Sequence, residues 1–308
     1  MPAGRRASLG LAALAGLALG LLAAVSPPPP AAAADVATPK LSGLPWRSGV
    51  SINPWEGEGG AFAAWRGRPL DVRVAFVGKD TWDQIASQLR GARFRGECRE
   101  TPLCVVSLAP FPRSASGQFR QCAGGAFDAR HRELAKLIAD TRRGAVVRIA
   151  WEANSHAGHP WRIGTASNIA PYKACFRRLA KIHRAAGLLV EWTNSKDLAF
   201  PLMDAYPGDD VADLWGLHEY DSDQQRDLSF ADYVAEAARR GKKVSVSEWG
   251  LRRNGDNPAF VRRIFEQFRS KAAHLAYEAY FNRSSEHMLY PTTQYPRSAR
   301  VYRELWGR

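Results

Sequence analysis

The 308-residue chain has only four cysteines, Cys98, Cys104, Cys122 and Cys175. They include no C-x-x-C pair and no histidine cluster accompanies them, so the spacing that holds a structural zinc ion is missing. The first strand-like segment runs into SINPWEGEGG and lacks the G-x-G-x-x-G turn that a doubly wound, nucleotide-binding sheet usually carries there. Lysine and arginine outnumber aspartate and glutamate by 43 to 30, a net charge of +13. The excess is scattered in RR and KK pairs with no long basic run, the pattern of a solvated surface rather than of a nucleic-acid face. Beyond Val25 no segment is apolar enough to cross a bilayer. These absences argue against a metal, a cofactor, a nucleic-acid partner and a membrane-embedded domain, and the expectation is a monomer.

What is present begins with a leader. Arg5 and Arg6 precede an apolar run from Ser8 to Val25, followed by SPPPP and AAAAD. A short basic region, an apolar stretch and small residues make a secretory signal, cut most simply after Ala34. The rival is an uncleaved anchor, since the run could just span a membrane. Residues 1–34 are therefore taken as the signal, 35–45 as a linker and 46–308 as the folded domain. The expected compartment is secreted or periplasmic, where disulfides form; four cysteines allow three pairings.

At 45% hydrophobic and 24% charged the chain is globular rather than disordered. Eight apolar, β-branched segments recur: 46–53, 70–77, 103–110, 145–154, 188–195, 211–221, 242–251 and 274–282. Between several lie amphipathic helices, at 131–143, 172–187, 231–241 and 258–271. Strand alternating with helix implies parallel strands joined by crossovers. Eight such units predict an α/β fold, a closed (β/α)8 TIM barrel in one domain, with an open doubly wound sheet as the rival. In the barrel, Cys98 and Cys104 bracket the start of the third strand at the bottom, while Cys122 and Cys175 lie towards the top. The favoured pairs are Cys98–Cys104 and Cys122–Cys175.

Barrel active sites lie at the carboxyl ends of the strands, and those ends are rich in polar and aromatic residues. The first gives Asn53 and Trp55, the fourth Glu152 and Asn154, the fifth Trp192 and Asn194. The sixth gives His218, Glu219, Tyr220 and Asp221, the seventh Glu248 and Trp249, and the eighth Tyr280 and Asn282. Two carboxylates across a cleft are what glycosidic hydrolysis requires, one protonated and one ionised. Trp151 and Trp161 surround Glu152 with apolar groups that would raise its pKa, as a general acid needs. Tyr220 stands one strand from Glu248 and could hold it ionised, which assigns Glu248 as nucleophile and Glu152 as acid/base. Arg148, four residues before Glu152, could pair with a carboxylate inside the barrel. Trp192, Trp249 and Tyr280 taken alone read equally well as core or packing residues; at a cleft rim they are expected as stacking platforms for sugar rings, the reading taken with the two glutamates. His218 is either a substrate contact or a residue of the barrel wall, and on a strand only one of His218 and Glu219 faces the cleft.

At these residues the chain resembles glycoside hydrolase family 26, a family of retaining (β/α)8 glycosidases related to β-mannanases. The likeness lies in RIAWEANSH (148–156) with Trp161 downstream, in YPGDDVADLWGLHEYD (206–221) and in VSVSEWG (244–250). It implies endo-acting hydrolysis of a β-linked polysaccharide without a cofactor. Glu152 would be the acid/base, Glu248 the nucleophile, Tyr220 its holder, Arg148 and Asn154 supports of the acid/base strand, and Trp161 a wall of the sugar cleft. The chain departs from the pattern at Trp151, where histidine is usual, and at Ser155, His218, Glu219 and Tyr280. The expected substrate is β-mannan or another, acidic, exopolysaccharide. A non-catalytic polysaccharide-binding protein of an export or biofilm system is the alternative, and a cationic surface adhesin a third class.

Overall fold

The eight β-branched segments form eight parallel strands in a computed structural model: β1 (Arg47–Ile52), β2 (Val72–Phe76), β3 (Leu103–Leu108), β4 (Val146–Ile149), β5 (Leu189–Asn194), β6 (Leu214–Tyr220), β7 (Lys243–Gly250) and β8 (Leu275–Asn282). Each pairs with the next, and β1 closes on β8 from Arg47 opposite Tyr277 to Ile52 opposite Asn282. The crossovers carry α1 (Gly59–Arg66), α2 (Trp82–Arg90), α3 (Ala92–Glu100), α4 (Phe119–Ala123), α5 (Asp128–Thr141), α6 (Ile169–Ala185), α7 (Phe230–Arg239) and α8 (Pro258–Ser270), and α9 (Pro296–Trp306) follows β8. The protein is a single-domain (β/α)8 barrel. The structure describes residues 1, 38–52, 59–156, 158–196, 200–221, 229–252, 254, 255–283, 286–291 and 294–307. The leader from residue 2, the linker up to residue 37, and Asn53 and Trp55 lie outside the described residues.

Alternation along each strand sorts side chains into two layers. Val74, Val105, Val146, Leu214 and Tyr277 fill the barrel interior, and the opposite faces pack against the helices. The helix-side layer is dense in aromatic rings. A polar knot in it is Glu278, a fully buried carboxylate that accepts hydrogen bonds from the indole nitrogens of Trp46 (3.3 Å), Trp249 (2.5 Å) and Trp306 (3.0 Å). Burial raises the Glu278 pKa, the hydrogen bonds only partly opposing it. A buried carboxyl group needs such partners because each unpaired polar atom there costs about 1–3 kcal/mol.

Above the apolar interior lies a polar floor. The Glu191 carboxylate on β5 accepts from Thr193 Oγ1 (2.6 Å), Ser247 Oγ (3.0 Å) and the Tyr277 hydroxyl. Gly216 on β6 makes room for it: a Cβ there would stand 2.2 Å from Glu191 Oε1. Both disulfides form between the expected partners, Cys98–Cys104 with Cα atoms 4.9 Å apart and Cys122–Cys175 at 5.1 Å. The second ties α4 to α6. Among the described residues no helix is long and apolar enough to cross a membrane, and no group of side chains could hold a metal ion.

Candidate active site

Both glutamates reach the barrel mouth by local departures from regular strand. Counting alternately along β7, Ser245 and Ser247 face inward, so Glu248 should face the helices. It does not, because β7 carries one extra residue against both neighbours. Gly216 to His218 on β6 spans Ser245 to Glu248 on β7, and Val246 to Trp249 spans only Glu278 to Tyr280 on β8. This bulge re-aims the carboxylate, as bulges beside active sites do. On the other side, β4 stops at Ile149 and the chain turns through Ala150 and Glu152, with φ of 53° and 55°. A non-glycine residue in that left-handed region is strained by order 1–3 kcal/mol and persists only where its surroundings enforce it. Here the Glu152 N–H donates to Thr193 O (3.1 Å), while Asn154 clasps Ser195 through Nδ2–O (2.9 Å) and N–Oδ1 (3.1 Å) contacts.

Glu248 sits in a cage of donors. Arg148 Nη2 lies 2.5 Å and His218 Nε2 3.0 Å from its Oε1, and the Tyr220 hydroxyl donates to Oε2 over 3.0 Å. Its side chain is 6% exposed. Arg148 itself is fully buried, with Nη1 on Ser107 Oγ (2.9 Å) and Nε 3.5 Å from Glu191 Oε1. Glu152 is more open, at 17%. Its Oε1 meets His218 Nδ1 at 2.7 Å and its Oε2 meets His159 Nε2 at 3.0 Å. One imidazole, His218, thus touches both carboxylates.

The electrostatics follow. Burial would raise the pKa of both acids, but His218 and His159 around Glu152, and His218 and Arg148 around Glu248, outweigh it and hold both carboxyls well below their ordinary range. Burial pulls His218 down, yet the two carboxylates outweigh it and lift it to about 9. The two carboxylates thus favour a proton on His218, while Arg148 Nη2, 2.6 Å from His218 Nε2, favours a lone pair there. The apolar environment expected to raise Glu152 is overridden by two histidines, so Glu152 at rest is an ion.

Several expected rim residues have no exposed face. Trp192 points to the helix side, packed at 4.9 Å on Tyr206 and 5.3 Å on Trp215. Trp249 lies between β7 and α9, stacked on Trp306 at 4.8 Å. Tyr280 is buried with its hydroxyl on His287 O (2.7 Å). Trp161 is also fully buried, donating to Trp151 O (2.9 Å) with His159 stacked on its ring at 5.0 Å. Trp192, Trp249 and Tyr280 are corrected from sugar platforms, and Trp161 from a wall of the cleft, to packing residues: the odd residues of β5 and β8 take the interior, so Trp192 and Tyr280 take the other side, the bulge that turns Glu248 inward sends Trp249 outward, and Trp161 serves as the bed for His159. Arg148 and Asn154 are likewise closed to solvent; Arg148 braces Glu248 rather than the acid/base strand, and Asn154 pins the turn. Glu219 faces away from the cleft, 2.5 Å from Lys196 Nζ. Sequence reasoning missed His159, whose one signal was its position between Glu152 and Trp161 in the same loop.

A closed parallel barrel with two carboxylates at the carboxyl ends of β4 and β7 has the architecture of barrel glycosidases. The structures it resembles bear that out at the level of fold. A mannanase of Bacillus subtilis, BCman, superposes with a TM-score of 0.60 at 14% identity, over 89% of this chain and 88% of that one. The catalytic domain of the family 26 endo-β-1,4-mannanase from Bacillus sp. JAMB-750 gives 0.62 at 14% identity, over 87% of each. The family 26 β-mannanase BoMan26A of Bacteroides ovatus gives 0.58 at 15%, over 85% and 87%. By sequence, no protein-family model and no curated protein matches the chain. The structural neighbours thus include family 26 β-mannanases, and the shared property is the (β/α)8 barrel fold.

Proposed function

We propose that the protein is a secreted retaining glycoside hydrolase that cleaves a β-linked polysaccharide, with Glu248 as nucleophile and Glu152 as acid/base. The observation that carries this reading is the asymmetry of two carboxylates at one mouth. Glu248 is buried, fixed by three donors and nearly closed to water, which suits attack on carbon rather than activation of a water molecule. Glu152 is the more open, within reach of a leaving oxygen. In the first step a Glu248 oxygen bonds to the anomeric carbon as the C–O bond breaks and the departing oxygen takes a proton by way of Glu152. In the second, water gives a proton back to Glu152 and displaces Glu248. The fold of the neighbouring mannanases makes β-mannan the first substrate to try, and the net charge of +13 makes acidic exopolysaccharides the second. The two disulfides suit an oxidising compartment.

The resting charge of Glu152 favours a second reading, a polysaccharide-binding protein without catalysis, since an ionised carboxylate is no acid. Hydrolysis of β-mannan, xylan, mixed-linkage glucan and acidic exopolysaccharides separates the two. Release of reducing ends from one polymer, lost by at least about a thousandfold in Glu248→Ala and Glu152→Ala, supports the enzyme. Binding without cleavage anywhere supports the binder.

A further inference from the structure

We propose that the barrel mouth selects a polyanionic chain, a β-linked polysaccharide containing uronate residues, and that Lys79, Arg252 and Arg283 read its carboxylates. The inference rests on the glycoside hydrolase reading above and names the class of sugar that the same mouth takes.

The structure takes aromatic platforms out of the mouth and puts cations there. A neutral polysaccharide is held largely by sugar rings lying on exposed aromatic faces. Trp161, Trp192, Trp249 and Tyr280 offer none, because all four are fully buried. Rings beside the two glutamates instead carry positive charges. The guanidinium of Arg283, directly after β8, lies 4.6 Å from the centroid of Phe76 at the end of β2. That of Arg252, two residues after β7, lies 5.6 Å from the ring of Tyr220, whose hydroxyl donates to Glu248. Lys79, three residues after β2, has its Nζ 5.9 Å from the ring of Trp161, the bed of the His159 that touches Glu152. All three cations are half-buried.

A cation over a ring gains about 0.5–1 kcal/mol at an exposed site, enough to favour one position, and it keeps its full charge. Nearby acids are engaged elsewhere. Asp80 pairs with Arg113 at 3.2 Å, and Asp221 Oδ1 accepts from the Arg252 backbone N–H at 2.7 Å. Among the described residues, Lys79 and Arg252 form no ion pair. A guanidinium fork matches a planar carboxylate and can grip it through two parallel N–H···O bonds, while an ammonium acts as a point charge. Without these groups Glu152 and Glu248 would repel an acidic polymer. With them, uronate carboxylates have partners on both sides of the bond to be cut. Arg252 stands on the side of Glu248, where the attacked sugar lies, and Lys79 on the side of Glu152, where the leaving sugar lies.

The probes are poly-β-1,4-mannuronate and poly-β-1,4-glucuronate, and the neutral mannan and glucan made by reducing their carboxyl groups to alcohols. Each pair differs only at C6. Binding of the protein to tethered polymers, read by interferometry in the cold at physiological salt, should be about tenfold or more tighter for at least one uronan than for its reduced form, the size of one hydrogen bond to a charged group. Changing Lys79, Arg252 and Arg283 together to Ala should erase that preference and leave neutral binding unaltered. Each single change should remove about threefold of it, which keeps the test open should the triple variant not fold. Changing the exposed helix arginines Arg132, Arg239 and Arg269 together to Ala removes the same charge elsewhere and should leave the preference intact. No preference for either uronan overturns the proposal, and so does an equal loss in both triple variants, which would mean attraction to the net charge alone. A uronan that is bound through these three residues and not cut upholds the proposal and removes the glycosidase reading. Cleavage of reduced mannan faster than of either uronan upholds that reading and overturns the proposal.

Discussion

Tyr220 and His218 show how much of the site depends on single donors. Tyr220→Phe removes one hydrogen bond to the Glu248 carboxylate, worth about 1.5–3 kcal/mol for a charged acceptor. The expected result is a fall in kcat of about 10- to 100-fold with little change in fold, read from steady-state kinetics and circular dichroism. The three titrating groups also set a stability window. His218 is raised from 6.5 to about 9, so its contribution is complete below pH 6.5 and lost as pH climbs to about 9. Glu152 and Glu248 are depressed below 4.5, so theirs is complete above pH 4.5 and lost as pH falls further. Together they predict the largest contribution between about pH 4.5 and 6.5. The difference in unfolding free energy between wild type and His218→Asn should be largest in that window and shrink by pH 9, measured by urea titration. The glutamates were legible in the sequence as polar ends of apolar runs. The sign of the Glu152 shift was not, because it depends on a histidine seven residues away and another on β6.

The elements explain which residues could be read and which could not. Eight strand-like runs announced eight strands, and strand ends announced the mouth. Which side of a strand a ring takes is a matter of parity, and parity is set by register. Trp192, Trp249 and Tyr280 end strands, yet each falls on the helix side, while the bulge in β7 brings Glu248 inward against the count. A bulge leaves no mark in a single sequence, since VSVSEWG alternates as smoothly as a regular strand would. As packing residues these rings carry stability: Trp192→Ala and Trp249→Ala should each cost about 3–5 kcal/mol in chemical denaturation. Activity per folded molecule should fall much less than in the glutamate variants. A rim platform would behave in the opposite way, weakening polysaccharide binding while leaving stability nearly intact.

At the scale of the whole molecule, alternation of strand and helix was enough to predict the closed barrel, because parallel strands with short crossovers have few other solutions. The cysteine pairs followed from the same barrel, since each pair lies at one end of it. The two bridges differ in what they constrain. Cys122–Cys175 closes a 53-residue separation and Cys98–Cys104 one of 6. Loop-closure entropy assigns about 4 kcal/mol to the first and about 2 to the second. Cys122→Ser with Cys175→Ser should therefore lower the urea midpoint more than Cys98→Ser with Cys104→Ser. The mouth chemistry joins residues from β4, β6 and β7, so no local motif contains it.

The central claim is that Glu248 attacks sugar carbon. Its most direct test is to incubate the protein with the 2-deoxy-2-fluoro glycosyl fluoride of the sugar it cleaves, digest it, and weigh the peptides. A glycosyl adduct on the peptide carrying Glu248, absent in Glu248→Gln, is the predicted result. Cleavage of the polymer with no adduct on that peptide, or with an adduct on another carboxylate, contradicts the account.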